Sequence, residues 1–377
     1  MRKNEFEETL YWLWFTLALG SNRAIARSIY SKFKSPEKIF RSGRGDYKKH
    51  GIPEEIATLL MNKDLSAAER ELWFARKFSI DIVPLTSEKY PVLLKNTVSP
   101  PLLLYVRGVH FNPNNELYIT ITGTKNTSQS GLSIAYNIAK DLALAGVTIV
   151  AGQSPGIETA AYEGCLSAGG HAVAALVTGV NKVYPRAATS LQNRIMNSGA
   201  VISEYPLSRA DNDKLFFAER NRIIAGISAG TLIAEATEKS NSLKTANMAL
   251  DEGRDVFAVP GDIKNSHAVG SNELLKFSGK AITCAKDILE EYEDKYSQFF
   301  KISPYTPDTL EFDVPPINTQ VTADEIALID AIRKFPKTAY EISNEIKKPL
   351  SYVNGVAASL EMRDKIKLLS DNRYTLK

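Results

Sequence analysis

The sequence predicts an α/β protein built on a Rossmann-like, doubly wound, mostly parallel sheet, flanked by an N-terminal helical domain and a C-terminal winged helix. Two observations predict this class. Between residues 117 and 292, short continuous apolar runs alternate with helical patterns, which is typical of parallel strands covered on both faces. Before residue 80 and after residue 320, the apolar periodicity is mainly helical.

Residues 1–79 are predicted to form the helical domain. Turns led by Gly20 and Gly51 join apolar helical stretches, and this pattern resembles SAM or helix-hairpin-helix units, whose turn amides can hold a phosphate. Packing hairpins in a small helical bundle explain the same turns. We favour that interpretation because the hairpin signature is loose.

Residues 80–292 are predicted to form the core and its lead-in extension. Prolines interrupt the lead-in, residues 80–108, which is expected to be irregular except for a strand at 102–106. Seven further apolar runs are predicted strands: 117–121, 147–150, 172–177, 200–203, 231–234, 256–259 and 281–283. Four predicted helices lie between them: 130–145, 157–168, 191–196 and 242–252.

The last part of the chain is predicted to be a linker followed by a small domain. Residues 293–319 contain four prolines and little periodicity, which indicates a linker. Residues 320–377 contain three helical patterns and two short strands, for which a winged helix is the simplest interpretation. Such a module often places its third helix on DNA. Residues 350–360 contain no lysine or arginine, however, so contact with protein is the favoured role.

Composition excludes several classes of protein. Cys165 and Cys284 are the only cysteines, which excludes a disulfide framework and indicates a reducing compartment. The four histidines are far apart in the sequence and none has metal-ligand spacing, so neither a metal nor another cofactor is expected. The apolar stretch 10–19 is too short to span a membrane and is predicted to be a buried helix. We therefore expect a cytoplasmic protein with no membrane partner.

Glycine-bearing loops follow two consecutive strands of the predicted core. Gly123, Thr124 and Lys125 come after the first strand, and Gly152 and Gly156 come after the second. Open α/β sheets bind ligands at the carboxyl ends of their strands, and helix N-termini there favour anions. Two such loops together predict a crevice that binds phosphate.

Later connections add polar and cationic candidates at the same edge of the sheet. The candidates are Lys182, Arg220, Asn221, Arg222, Ser240, Ser242 and Lys244. Arginine can bind phosphate bidentately, and aromatic rings such as Phe216 or Tyr184 can stack on bases. On a helix Arg220 and Arg222 diverge. We expect one of them to pair with Glu219 or Glu235 and the other to meet the ligand.

The common enzymatic motifs do not account for these loops. No dinucleotide-binding fingerprint and no P-loop occurs. The G-x-S-x-G match at 152–156 has Pro155 after its serine, and proline has no N–H to give to an oxyanion hole. The second match, at 226–230, precedes a predicted strand instead of following one. Cys165 lies in an apolar helical pattern, which favours packing, so no catalytic residue is assigned.

The order of the motifs resembles the DNA-processing protein A (Smf) family. The resemblance covers residues 80–292 most closely, and it rests on Gly-Thr-Lys 123–125, Val-Tyr-Pro 183–185, Ser-Glu-Tyr-Pro 203–206, Arg-Asn-Arg-Ile-Ile-Ala-Gly 220–226, Ser-Asn-Ser 240–242 and Val-Pro-Gly 259–261. The lead-in prolines and Tyr105 also agree with the family.

The resemblance implies a Rossmann-like core that binds single-stranded DNA without hydrolysing it. It also implies a homodimer that protects incoming DNA and passes it to a RecA-type recombinase during natural transformation. Among the candidates above, it implies DNA contacts for Lys125, Lys182, Arg220, Arg222, Ser240, Ser242 and Lys244. The chain departs from the family at Lys125, where arginine is usual, and at Ser154-Pro155, where Ala-Arg is usual. The first change keeps the charge but loses the bidentate fork.

Two alternatives stay open. Rossmann-like nucleoside-monophosphate phosphoribohydrolases are similar in fold and use a catalytic glutamate beside an arginine, for which Glu235 and Arg220 are the obvious pair. Their Pro-Gly-Gly-x-Gly-Thr loop is absent here. A transcription regulator is the second alternative, and it would require duplex binding stronger than single-strand binding.

Overall fold

The computed structural model describes residues 3–20, 22–208, 214–296, 298, 300, 323–333, 335–362, 365–369 and 373–376. The chain divides between Thr306 and Pro307 into two compact units. In the first unit, the N-terminal helices share a hydrophobic core with the sheet. The domain boundaries expected at residues 79 and 292 stay predictions.

A mixed sheet organises the first unit. Its strands, in chain order, are β1 (Asp81–Pro84), β2 (Leu103–Gly108), β3 (Tyr118–Thr122), β4 (Thr148–Ala151), β5 (Ala172–Ala175), β6 (Ala200–Ser203), β7 (Gly230–Ile233), β8 (Asp255–Ala258) and β9 (Lys280–Ala281). Among the described residues they lie in the order β1-β2-β6-β5-β4-β3-β7-β8-β9. β3 to β9 pair in parallel, while β2 is antiparallel to both β1 and β6. The predicted mostly parallel sheet is confirmed.

Helices surround this sheet. In chain order they are α1 (Lys3–Leu19), α2 (Arg23–Phe33), α3 (Pro36–Arg41), α4 (Arg44–Lys49), α5 (Glu54–Met61), α6 (Ser66–Lys77), α7 (Val92–Lys95), α8 (Gln129–Leu144), α9 (Ile157–Ser167), α10 (Thr189–Ser198), α11 (Lys214–Ile227), α12 (Ser242–Asp251), α13 (Val269–Phe277), α14 (Ala285–Glu290) and α15 (Glu293–Tyr296). Gly20 and Gly51 have φ values of +52° and +62° in the turns after α1 and α4, as the predicted glycine turns require.

Both faces of the sheet are covered, as the continuous apolar strands predict. Every residue of β3 to β7 is buried. Successive residues of β3 point to opposite faces: Ile119 and Ile121 pack in one cluster with Ala135 of α8, whereas Tyr118 packs in another with Ile224 of α11. The fold is therefore doubly wound.

The lead-in extension is more regular than expected. β1 and α7 lie in the stretch predicted to be irregular, so that prediction is wrong for these residues. β1 pairs with β2 through Ile82 opposite Tyr105. It forms the edge of the sheet, where Pro84 is tolerated because one side of the strand needs no hydrogen-bond partner.

The second unit contains three helices and a small antiparallel sheet among its described residues. They are α16 (Ala323–Ile332), β10 (Lys337–Thr338), α17 (Ala339–Ile346), α18 (Leu350–Met362), β11 (Ile366–Leu368) and β12 (Arg373–Leu376). The sheet order is β10-β12-β11. The winged-helix assignment stays a prediction. Most of the predicted linker, residues 301–319, lies outside the described residues, and its first four residues form α15.

The predicted buried helix at residues 10–19 is confirmed, because it lies within α1 and the side chains of Trp12, Leu13 and Phe15 are fully buried. In the part of the chain that the structure describes, no helix combines the length and apolar character needed to cross a lipid bilayer.

Candidate functional site

The edge of the sheet at which the sequence predicts a crevice lies where the strand order changes direction. β3 has β4 on one side and β7 on the other, so the connections after these three strands leave the same edge of the sheet and enter α9, α8 and α12. This arrangement is the usual location of a ligand in an open α/β sheet.

Glu235 fixes the loop between β3 and α8. Its backbone carbonyl accepts a hydrogen bond from the Thr124 amide at 2.8 Å. Its buried carboxylate accepts hydrogen bonds from the Thr127 hydroxyl at 2.5 Å, the Ser128 amide at 2.8 Å and the Ser128 hydroxyl at 2.5 Å. A protein carboxylate therefore already complements the N-terminal dipole of α8, where the sequence pattern favoured a bound phosphate.

The loops after β3 and β4 touch each other, as predicted. Gly156 has a φ of +82°, and a Cβ atom there would lie 2.5 Å from the Lys125 carbonyl oxygen. A Cβ atom on Gly123 would lie 2.5 Å from the Glu235 carbonyl oxygen. Because these glycines allow close backbone approach, Thr124 is buried between the loops and Lys125 is held at the exposed rim.

Arg220 extends from α11 to the glycine loop after β4, which forms part of the predicted crevice. The residue is 3% exposed, and its Nη1 donates to the Ala175 carbonyl oxygen at 3.4 Å. A Cβ atom on Gly152 would lie 1.4 Å from that Nη1, so the guanidinium occupies the space that a side chain would need. Within the described chain Arg220 forms no ion pair, and its buried Nε has no hydrogen-bond partner.

Gln153 lies next to Gly152 in the same loop. Both polar atoms of its side-chain amide are buried and lack a hydrogen-bond partner among the described residues. Buried polar groups are normally satisfied, and a bound ligand is one way to satisfy them. The floor of the crevice thus has polar groups with unused hydrogen-bonding capacity beside a cation.

Phe217 connects this floor to the rim. Its ring centre lies 5.5 Å from the Lys125 Nζ and 5.9 Å from the Arg220 Cζ, both within the range of cation–π interactions. The Tyr184 ring lies 6.1 Å away in an edge-on arrangement. We call Lys125, Gln153, Tyr184, Phe217 and Arg220 the crevice cluster.

Phe216, which the sequence offered as a stacking surface, has a different position. Its ring packs 5.4 Å from the ring of buried Tyr205. The adjacent Phe217 instead faces the cations. The two adjacent phenylalanines indicated that an aromatic ring is available for stacking. The rotation of α11 about its axis decides which of the two rings faces the cations.

Arg222 diverges from Arg220, as predicted for their helical spacing. Its guanidinium forms an ion pair with Glu204, and it also donates to the Ser99 carbonyl oxygen. The predicted partner of the paired arginine, Glu219 or Glu235, is therefore wrong, because the helix turns Arg222 toward the loop after β6. Asn221, between the two arginines, is buried at 9% exposure.

The connection after β7 forms a compact polar turn at the same edge. The hydroxyl groups of Ser240 and Ser242 are 2.7 Å apart. The amides of Leu243 and Lys244 donate to the carbonyls of Ser240 and Asn241, so these amides are not free for a phosphate as the pattern suggested. The side chain of Lys244 is exposed.

Lys182 lies toward the N-terminal helices. Its Nζ donates to the Ser208 carbonyl oxygen at 3.4 Å. With Arg70, Glu71 and Phe74 it lines a cavity of about 620 Å³. This lysine therefore borders a cavity beside α6.

The catalytic pair of the hydrolase alternative is not assembled. Both carboxylate oxygens of Glu235 accept hydrogen bonds from Thr127 and Ser128, whereas Arg220 bonds to Ala175. Cys165 is fully buried, and burial raises the pKa of its thiol to about 12, in agreement with the predicted packing role.

Two of the four histidines lie beside a glutamate in the folded chain, although their spacing in the sequence gives no metal-ligand motif. His110, Glu116 and His171 come together at the opposite edge of the sheet, where β3 and β5 begin and the antiparallel strand β2 ends.

The family model and the curated relatives agree on one family. Residues 81–293 match the family model of DNA recombination-mediator protein A. The chain is 33% identical over 224 residues to the DNA processing protein DprA of Bacillus subtilis, covering 59% of this chain and 75% of the relative. It is 32% identical over 292 residues to the protein Smf of Escherichia coli, covering 71% of this chain and 75% of the relative.

Solved structures show the same fold. The X-ray structure of DNA processing protein A from Streptococcus pneumoniae is similar with a TM-score of 0.55 and 29% identity, over 65% of this chain and 90% of that one. The protein of the same description from Helicobacter pylori, studied for its single-stranded DNA binding mode, is similar with a TM-score of 0.52 and 24% identity, over 58% of this chain and 98% of that one.

Proposed function

Because the chain belongs to the DNA recombination-mediator protein A family, we propose that it is a non-enzymatic, cytoplasmic, homodimeric protein that binds single-stranded DNA. In this proposal it protects incoming DNA and helps to load a RecA-type recombinase during natural transformation. Binding is largely independent of base sequence, since cations contact phosphates and aromatic rings stack on bases.

The buried guanidinium of Arg220 is the observation that carries the binding proposal. A buried charge is costly unless it is paired, and no carboxylate in the described structure pairs with this one. A phosphate oxygen that entered the crevice would supply the missing negative charge. It would accept hydrogen bonds from the Arg220 N–H groups that do not bond to the Ala175 carbonyl. Arginine's planar fork suits such a contact.

Phe217 and Tyr184 support a nucleic-acid ligand over a free anion. Tyr184 is 37% exposed and Phe217 is half-buried between two cations. Stacking of a base on an aromatic side chain contributes about 1–3 kcal/mol and tolerates any base, because every base has a π-face. An isolated phosphate site would need no exposed ring beside its cations.

The relatives supply the biological context. The Helicobacter pylori protein, described with a single-stranded DNA binding mode, shares the fold. The recombinase contact, the homodimer and the role in transformation rest on the family resemblance alone. We include in the proposed DNA site the residues that shape the crevice through their backbone or their buried side chains: Gly123, Thr124, Gly152, Gly156 and Asn221. Further candidates for DNA contact lie outside the crevice cluster: Lys182, Arg222, Ser240, Ser242 and Lys244.

Fluorescence anisotropy of labelled oligonucleotides tests the proposal. Single-stranded DNA should bind more tightly than duplex, and Lys125→Ala or Phe217→Leu should weaken binding by about tenfold, the loss of one contact of about 1.4 kcal/mol. Lys140→Ala is the matched control, since Lys140 is exposed on α8 beyond the crevice. With about four cationic contacts, log affinity should fall with log salt at a slope of about −3.

Equal affinity for duplex DNA or independence from salt would contradict the proposal. Incubation with nucleoside monophosphates tests its non-enzymatic part: release of free base would instead support the hydrolase.

A further inference from the structure

We propose that His110, Glu116 and His171 form a binding site for one divalent transition-metal ion of the zinc type. The His110 Nε2 lies 2.5 Å from the Glu116 Oε1, and the His171 Nδ1 lies 3.6 Å from the same oxygen. One ligand atom from each residue lies within 4.8 Å of the other two. These residues have no part in the crevice cluster.

The three side chains lie at the edge of the sheet where the parallel strands begin. Glu116 comes shortly before β3 and His171 directly before β5, on either side of the start of β4. The Ile149 amide of β4 donates to the His171 carbonyl oxygen at 3.0 Å. The His110 amide donates to the Gly199 carbonyl oxygen at 3.1 Å. The backbone that carries the donors is therefore already in place, and binding needs no folding step.

Thr148 orients the carboxylate. Its hydroxyl donates to the Glu116 Oε2 at 2.6 Å, which leaves Oε1 on the side of the two histidines. Hydrogen bonds of this kind to the ligands of metal ions fix their orientation and commonly change affinity by about 10- to 100-fold. The site thus has an orienting contact as well as its three donors.

The donor set and its spacing suit zinc. Zinc binds imidazole nitrogen and carboxylate oxygen at about 2.0–2.2 Å, which places neighbouring donors of a tetrahedron about 3.3 Å apart. The separations of 2.5 and 3.6 Å from the Glu116 oxygen lie on either side of that value, and each differs from it by less than about 1 Å. Calcium and magnesium prefer sites built from oxygen alone, whereas two imidazoles favour zinc, copper or nickel.

The site also has an open side. The side chains of His110, Glu116 and His171 are 31%, 15% and 38% exposed. A cavity of about 210 Å³ adjoins Glu116 and His171. An ion can therefore enter from solvent, and water can complete its coordination. Without an ion, a ring nitrogen of His110 shares a hydrogen bond with the Glu116 carboxylate.

Isothermal titration of the chelator-treated full-length chain with zinc chloride tests the proposal. We expect one ion per chain, a higher melting temperature with zinc, and at least tenfold weaker binding in Glu116→Gln and His171→Ala. His50→Ala, which changes an exposed histidine on the N-terminal helices, should bind zinc as the wild type does. Circular dichroism of each variant confirms that it is folded.

Titration with cobalt chloride distinguishes histidine and carboxylate ligands from cysteine ligands. A visible spectrum without thiolate charge-transfer bands supports the histidine and carboxylate ligands, whereas such bands would assign the ion to a cysteine and overturn the proposal. Absence of zinc binding, or equal binding by wild type and both variants, would also overturn it. Single-stranded DNA affinity is measured separately with and without zinc, so that failure of either proposal is visible without the other.

Discussion

Gly152 offers a way to move the Arg220 guanidinium without changing its charge. In Gly152→Ala, the new Cβ atom would lie 1.4 Å from the Arg220 Nη1. Ordinary contacts between heavy atoms need about 3.5 Å, so the guanidinium must move by about 2 Å. Such a shift breaks its bond to the Ala175 carbonyl and takes the fork away from the floor of the crevice.

The expected loss follows from the strength of one charged contact. A hydrogen bond to a charged group contributes about 1.5–3 kcal/mol, and each 1.4 kcal/mol is a factor of ten. Gly152→Ala should therefore weaken single-stranded DNA binding by about 10- to 100-fold. Arg220→Gln removes the charge as well, so it should weaken binding by a similar factor and make the salt slope shallower by about 0.7.

Anisotropy titrations at several salt concentrations measure both quantities. Arg194→Gln is the matched control, because Arg194 forms a solvent-exposed ion pair with Glu163 and such pairs contribute little. Arg220→Lys separates charge from geometry, since lysine keeps the charge but not the planar fork. Wild-type affinity and an unchanged salt slope in folded Gly152→Ala and Arg220→Gln would refute the assignment of Arg220 to the DNA.

Three further outcomes are expected. Arg222→Ala and Glu204→Ala should each lower the free energy of unfolding by about 3 kcal/mol in chemical denaturation, because each breaks an ion pair between a buried carboxylate and a partly buried guanidinium; strictly additive losses in the double variant would contradict the pairing. In thiol labelling of the native protein, Cys284 should react and Cys165 should not, since burial raises the Cys165 pKa to about 12; rapid labelling of both would contradict this. Burial also raises the pKa of Glu71, so its carboxyl contributes most to stability at low pH and this contribution is lost as pH rises through the raised value. The stability of Glu71→Gln relative to wild type should therefore increase with pH, and a constant difference would contradict the reasoning.

The sheet could be predicted because its strands are apolar without interruption. β4, β5 and β6 are buried at every position, so their sequences carry no alternation that could be confused with a half-exposed strand. The short edge strand β1 lacks this signal. Its own residues do not predict a strand, and the strand is stabilised by its pairing with β2.

The site could be predicted only to the level of its loops. Lys125, Gly156 and Arg220 converge, as the rule for open sheets predicts. The choice between Phe216 and Phe217 depends on the rotation of one helix, which its sequence does not determine because apolar residues occur on more than one side. Long-range pairing, such as that of Arg222 with Glu204, is likewise decided by packing between elements.

The contacts of the glycines change the physical picture of how DNA would be held. Sequence patterns favoured backbone amides at helix N-termini as the phosphate cradle, but Glu235 already occupies the N-terminus of α8. Gly152 and Gly156 make room for a guanidinium and a neighbouring carbonyl, both from the protein itself. The glycine loops therefore position side chains, and Lys125, Phe217 and Arg220 present the groups that a strand would meet. A site of this kind depends on cations more than on amide geometry, so its affinity should respond steeply to salt and to the loss of one charge.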